Sequence, residues 1–418
     1  MVFQIRLTQR VSNATPLPYT ASPLDLLWSD ICLFARYSWA LPGIFLPLQL
    51  RETISLDELY PSLQGAISVG TQVFLTISQL CFLLSVPFAI ISMFPALWVM
   101  GYITAALVIN YAICTVVLNG FRRVLTSQAI ISAQKGHERE RWHYWLQNNI
   151  DLLSYTFGRK ITGIHNRTAG LPFDLIECLI QRCFGYATAD VRKGYNLIKD
   201  ALLDPHVEKI VLILHSQGGI EGGMAIDWLL DEFPGDLLHQ LEVYTFGNAA
   251  NHFNNPRCTC QPVSKEQCVP GDQGIARRSI GFIEHYANSG DCISWLGVLR
   301  FATIPNQYLG RLFVRPGLGH LMNQHYLNAM FTLGPDMKVL ESNPFMDTEV
   351  ITKGINNFDD NTCTPGSANG DQAEVLSHVP DTRAGAMRHP ANPEVRTRRT
   401  LRIKDFSRLW QYRNGGSP

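Results

Sequence analysis

VLILHSQGGIEGG, Val211–Gly223, places a serine between an apolar run and a cluster of glycines. A short apolar run rich in β-branched residues, Ile210–Leu214, ends at His215; a serine, a glutamine and two glycines follow. Such a run bounded by glycines reads as a buried strand entering a turn. IEGGMAIDWLLDEF then reads as a helix that stops near Pro234-Gly235. In a strand–turn–helix of this kind the serine hydroxyl is held on a sharp bend above the carboxyl end of the sheet. Ser216 is therefore the candidate nucleophile. Gly218 and Gly219 suit a turn too close for side chains. The backbone N–H of Gln217, at the positive end of the following helix, is the natural first oxyanion donor. The bland alternative is a buried strand followed by an ordinary turn serine.

Outward from that stretch, strands and helices alternate between about Leu146 and Phe331. WLQNNIDLLSYTF, DLIECLIQRCF and TADVRKGYNLIKDALL read as helices, and KITGIHN, LEVYTFGN, GFIEHYANSG and GRLFVRP as strands. ISWLGVLRF and HLMNQHYLNAMF read as further helices. The alternation predicts an α/β domain over 121–333, with a mostly parallel sheet flanked by helices.

A serine alcohol needs a base, and the base an orienting carboxylate. In this architecture both come from loops after later strands, in the order Ser, Asp, His. Asp291 follows GFIEHYANSG, and His320 follows GRLFVRP through PGLG. His325 is the rival base, but it lies deeper in the presumed last helix, so His320 is preferred. His215 is expected to point away from the bend and His285 to be packed within its strand. Asp227 and Asp231 are expected to be helix-surface charges.

No charged side chain occurs between Glu58 and Arg122. Two apolar stretches within 63–120, separated near Pro87 and Pro95, are each long enough for a bilayer, which takes roughly 20 residues. The competing reading is a buried helical hairpin. Arg51 before the spans, and Arg122, Arg123, Lys135, Arg139 and Arg141 after them, predict two spans with both termini and the α/β domain cytosolic. The sequons at Asn13 and Asn166 are then fortuitous. Residues 1–62, with PLDLLWSDICLFARYSWALPGIFLPLQL, are either interfacial or an ordinary packed segment.

The formal net charge of zero gives no reason to expect a nucleic-acid partner. Ten scattered cysteines do not form a disulfide framework, and Arg6 and Arg10 are not followed by the apolar core of a signal peptide. Cys258, Cys260 and Cys268 with His252 fit no strong zinc spacing, so 253–278 reads as a surface insertion and no metal is assigned. Residues 334–418 read as a mostly disordered tail, its basic, aromatic-bearing end a solvated charge run or a contact for anionic lipid.

HSQGG after a strand, then VYTFGN, YANSGD and a Gly-His before a tyrosine-bearing helix, together resemble the lipase-like α/β-hydrolases of the class 3 lipase and serine-esterase type, over Leu146–Phe331. A membrane hairpin ahead of such a domain resembles fungal membrane proteins of this kind. The resemblance implies a nucleophile at Ser216, an acid at Asp291 and a base at His320. It implies hydrolysis of a carboxylic ester through an acyl-enzyme, without metal or organic cofactor. With the membrane bilayer as partner, the expected substrate is a lipid-like ester. Transfer of the acyl group to an alcohol is chemically adjacent, and a non-catalytic scaffold on the same fold is the alternative. The chain departs from the family in two places. Leu214 replaces the first glycine of G-x-S-x-G, and HERERWHYW runs straight into LQNNIDLL without the loop that supplies the second oxyanion donor.

Overall fold

The computed structural model describes residues 16–48, 54–120, 124–127, 144–257, 278–354, 372–377 and 401–418. The longer helices are α1 (Pro23–Tyr37), α2 (Leu63–Ile91), α3 (Ala96–Ile113), α4 (Tyr144–Phe157), α5 (Leu171–Phe184), α6 (Ala189–Leu203) and α7 (Gly218–Glu232). The strands are β1 (Val124–Thr126), β2 (Thr162–Ile164), β3 (Ile210–His215), β4 (Leu241–Phe246), β5 (Phe282–Gly290), β6 (Arg311–Leu318), β7 (Glu349–Gly354) and β8 (Gln372–Ser377).

The chain divides into two compact units, one made of Met1–Leu46, Gly194–His320 and Ser342–Gln411, the other of Pro47–Lys193, Leu321–Glu341 and Tyr412–Pro418. The single domain expected over 121–333 is therefore split between them.

In the first unit the four predicted strands β3 to β6 and two unpredicted ones pair in the order β3-β4-β5-β6-β8-β7. β3 to β6 are mutually parallel, with Leu212 opposite Val243, Tyr244 opposite Glu284 and Tyr286 opposite Phe313. β8 runs antiparallel to β6, and β7 parallel to β8. Every residue of β4 is buried, the signature of a central strand covered on both faces. Phe246, Tyr286 and Phe313 stack across β4, β5 and β6 with ring centroids 5.2 Å apart at each step. Among the described residues β3 lies at one edge of the sheet, opposite β7, and is only half-buried.

The tail differs from its expected disorder wherever it is described. β7 and β8 extend the sheet, and Leu409 and Trp410 are buried. Arg408 donates from Nε (2.9 Å) and Nη2 (2.7 Å) to Glu242 Oε1 on β4. The backbone N–H groups of Arg408 and Leu409 donate to Glu284 on β5, at 2.9 and 3.2 Å. The aromatic and basic residues at this end are thus core and clamp, not a free charge run. Their burial is residue by residue and leaves no periodic trace.

In the second unit α2 and α3 form a hairpin of two helices long and apolar enough to cross a membrane. Pro87 lies inside α2, and the turn falls at Ser92–Pro95. β1 and β2 pair antiparallel as a separate two-stranded sheet. The helix expected over HLMNQHYLNAMF forms, but Met322–Leu327 is wound as a π-helix before Asn328–Met330 becomes α-helical.

The basic residues 122, 123, 135, 139 and 141, the sequon at Asn13 and the three cysteines of the insertion lie outside the described residues. Of the insertion itself, Phe253 bridges to Tyr308 and Arg257 to Arg278.

Candidate active site

The parallel register brings the carboxyl ends of β3, β4, β5 and β6 to one rim, where ligands of open α/β sheets bind. Ser216 leaves β3, Gly247 leaves β4, Asp291 leaves β5, and His320 follows β6.

Ser216 has φ +57°, a left-handed conformation that non-glycine residues seldom take. Its N–H donates to Phe246 O (3.1 Å), and its carbonyl accepts from Gly219 N (3.0 Å) and Ala249 N (3.2 Å). Strain held by surrounding bonds in this way is a common mark of functional sites. Gln217 caps the start of α7, with no side-chain cap. Its peptide N–H lies at the helix terminus, where a developing negative charge is favoured. Leu214, the departure from the family pattern, is accommodated on α7: any side chain at Gly222 would run into it. The missing glycine of the bend is offset by a glycine one turn into the helix.

Asp291 is fully buried and caps the short helix Cys292–Leu296. Its Oδ1 accepts from Ile293 N (2.9 Å), and its Oδ2 accepts from Ser294 Oγ (3.0 Å). Oδ2 also lies 2.9 Å from His320 Nδ1. A carboxylate acceptor fixes the proton on Nδ1 and leaves a lone pair on Nε2. His320 Nε2 is buried and has no hydrogen-bond partner. Its lone pair meets no donor, and the Ser216 hydroxyl is not bonded to it in this structure. Burial, then the nearby Asp291 charge, pushes the Cys292 thiol up to about 12, so it stays a thiol beside the acid.

Three neighbours escaped the sequence reading. Gly247, at φ +54°, packs so closely that a Cβ there would come within 2.8 Å of Asp291 Oδ2 and 2.9 Å of His320 Nδ1. Ser294 holds the acid, as given above. His215 does not point away: its ring stacks on His320 at 4.6 Å, and its Nε2 donates to His320 O at 2.7 Å. Only the stacked ring of His215 is adjacent in sequence to a predicted site residue, so only it was within reach of sequence reasoning.

His325, the rival base, has a partner on each ring nitrogen. His325 Nδ1 accepts from Leu321 N (3.0 Å), so Nε2 is the donor, to Pro47 O (3.1 Å). No lone pair remains for a proton. His285 is packed as expected, against Thr245 Oγ1 (2.8 Å) and Leu309 O (3.1 Å). Asp227 is not a bare surface charge: it accepts from Asn254 Nδ2 and meets His252 Nε2, both at 2.8 Å. Among the described residues no group of three or more potential ligands could hold a metal.

Comparison with protein-family models, with curated proteins and with solved structures gave no match for this chain.

Proposed function

We propose that this chain is a membrane-anchored serine hydrolase of the α/β-hydrolase type that cleaves a lipid-like carboxylic ester through an acyl-enzyme on Ser216. The observation that carries the reading is the buried Asp291–His320 pair, with His320 Nε2 unpartnered, on the rim that also bears a strained serine.

In the reaction, Ser216 Oγ attacks the ester carbonyl carbon and its proton passes to His320 Nε2. The carbonyl oxygen becomes an oxyanion facing the Gln217 N–H. Collapse expels the alcohol, which takes the proton from His320 and leaves an acyl-serine. Water, activated by the same imidazole, repeats the sequence and releases the acid. Asp291 holds the ring and balances the imidazolium. The substrate class follows from the anchor: α2 and α3 tether the site to a bilayer, and Leu318, two residues before His320, is 57% exposed at the rim. With two spans and basic residues following the second, the catalytic unit faces the cytosol.

A second reading, a non-catalytic α/β module, has one observation in its favour: the serine–histidine hydrogen bond is not formed. Apo sites often close that bond only on substrate binding. Turnover of a medium-chain ester by protein reconstituted in phosphatidylcholine vesicles separates the two. The hydrolase reading expects activity that Ser216→Ala abolishes. Equal turnover by wild type and Ser216→Ala contradicts it.

A further inference from the structure

We propose that α5, with the loop Thr168–Gly170 leading into it, is a third membrane-embedded segment, its Ile176–Ile180–Phe184 ridge covered by lipid acyl chains. The proposal rests on α2 and α3 spanning the bilayer as argued above.

The helix is inside out. Its exposed side chains are Ile176 (39%), Ile180 (41%) and Phe184 (48%), spaced i, i+4, i+8 along one ridge. Gln181 is buried and donates to Glu177 at 3.2 Å. A helix facing water presents the opposite pattern.

The loop is built for a place without water. Thr168 N donates to Asn119 Oδ1 (2.9 Å), and Thr168 O accepts from Asn119 Nδ2 (2.8 Å). Ala169 N donates to Asp174 Oδ1 (2.6 Å). Ala169 O accepts from both Gln79 Nε2 (2.6 Å) and Asn110 Nδ2 (3.0 Å). Gly170 N donates to Thr168 Oγ1 (3.0 Å), and its carbonyl accepts from Asp174 N (2.9 Å). Every N–H and C=O of three irregular residues is satisfied by the protein, the condition for non-helical backbone at membrane depth. Gln79 on α2 and Asn110 on α3 both aim their side-chain amides at this loop. Gly170, at φ +99°, is where the loop backbone meets Gln79, and any side chain there would collide with it.

Depth follows from helix rise. At 1.5 Å per residue, Gln79 lies about 18 Å and Phe82 about 14 Å below the end of α2, and Asn110 about 21 Å below the start of α3. With the Ser92–Pro95 turn at one face, all three fall inside a hydrocarbon core of about 30 Å. Phe173 packs edge-on against Phe82 at 6.1 Å, so α5 starts at that level. At the same level the outer face of α2 exposes Ile77, Leu80 and Leu84. The ridge therefore starts at the depth of a lipid-facing surface, which is why lipid, not water or a second copy of the chain, is its occupant.

The test uses the full chain in phosphatidylcholine vesicles. One sample is photolysed with an apolar diazirine dissolved in the acyl phase, another is exposed to hydroxyl radicals from the water phase, and modified residues are mapped by mass spectrometry. The expected result is diazirine labelling of Ile176, Ile180 and Phe184 alongside Leu84 and Phe88, with no radical modification of the ridge. Radical modification of the ridge overturns the proposal in favour of water. A ridge reached by neither reagent, with α2 and α3 labelled, overturns it in favour of a protein contact. Unlabelled α2 and α3 would instead remove the membrane-anchoring reading, and this inference with it.

Discussion

The two halves of the candidate site are built differently. The acid–base half, Asp291 and His320, follows the interior strands β5 and β6, and each oxygen of Asp291 has a bonded partner. The nucleophile half follows β3, a half-buried edge strand among the described residues, and its serine is held by a left-handed backbone and three main-chain bonds. The imidazole is oriented by a buried carboxylate with a partner on each oxygen, whereas the serine is held through its backbone and its hydroxyl is not bonded to His320.

The largest expected effect comes from breaking the locked half. Asp291→Asn keeps the shape but favours the wrong tautomer of His320, and turnover should fall by about 10⁴-fold; a fall of less than about tenfold would detach Asp291 from the chemistry. Gly247→Ala is next. Its Cβ must displace Asp291 or His320, and misplacing a catalytic group by about 1 Å costs on the order of 10² in rate. Steady-state kinetics with unchanged near-ultraviolet circular dichroism would separate that loss from unfolding.

Stability measurements sharpen the contrast between edge and centre. Val243→Ala, at a fully buried position of β4, should cost about 2 kcal/mol, from roughly 0.8 kcal/mol per buried methylene plus the cavity left behind. Val211→Ala, 39% exposed on β3, should cost about 0.5 kcal/mol. Equal costs in denaturant melts would mean that β3 is as enclosed as β4.

The smallest effect concerns the chain just beyond the base. Glu58 accepts from Asn323 N (2.8 Å) and Gln324 N (3.1 Å), and burial raises its carboxyl to about 7 from an ordinary 4.5. The folded state therefore holds a proton that the unfolded chain has released, so stability should be greatest below about pH 4.5 and decline up to about pH 7. Glu58→Gln should flatten that decline in melts run across the window. A slope that survives the substitution assigns it to another group.

Much of the sheet, and the placing of Ser216, Asp291 and His320 just after strands, was legible because the signals are local. An apolar run and a glycine-rich turn each sit in a few consecutive residues, and Asp291 and His320 each lie just after a strand that reads as one. What was hidden depends on contacts between distant segments. Nothing near Gly247 in the chain announces that it must clear Asp291 and His320. Gly222 makes room for Leu214 from the next element, which no reading of the G-x-S-x-G pattern alone would supply. Leu409 and Trp410 are buried without periodicity, so a packed end of the chain read as a charged tail. The division of 121–333 between two units was equally invisible, because helices and strands alternate across it without a break.

The most direct measurement of the central claim is covalent. Full-length protein in phosphatidylcholine vesicles is treated with a fluorophosphonate probe, and the adduct is located by peptide mass spectrometry. The account predicts one adduct, on Ser216, that is lost in His320→Ala and retained in His325→Ala. Folded wild-type protein that takes no label, or takes it on another residue, would contradict it.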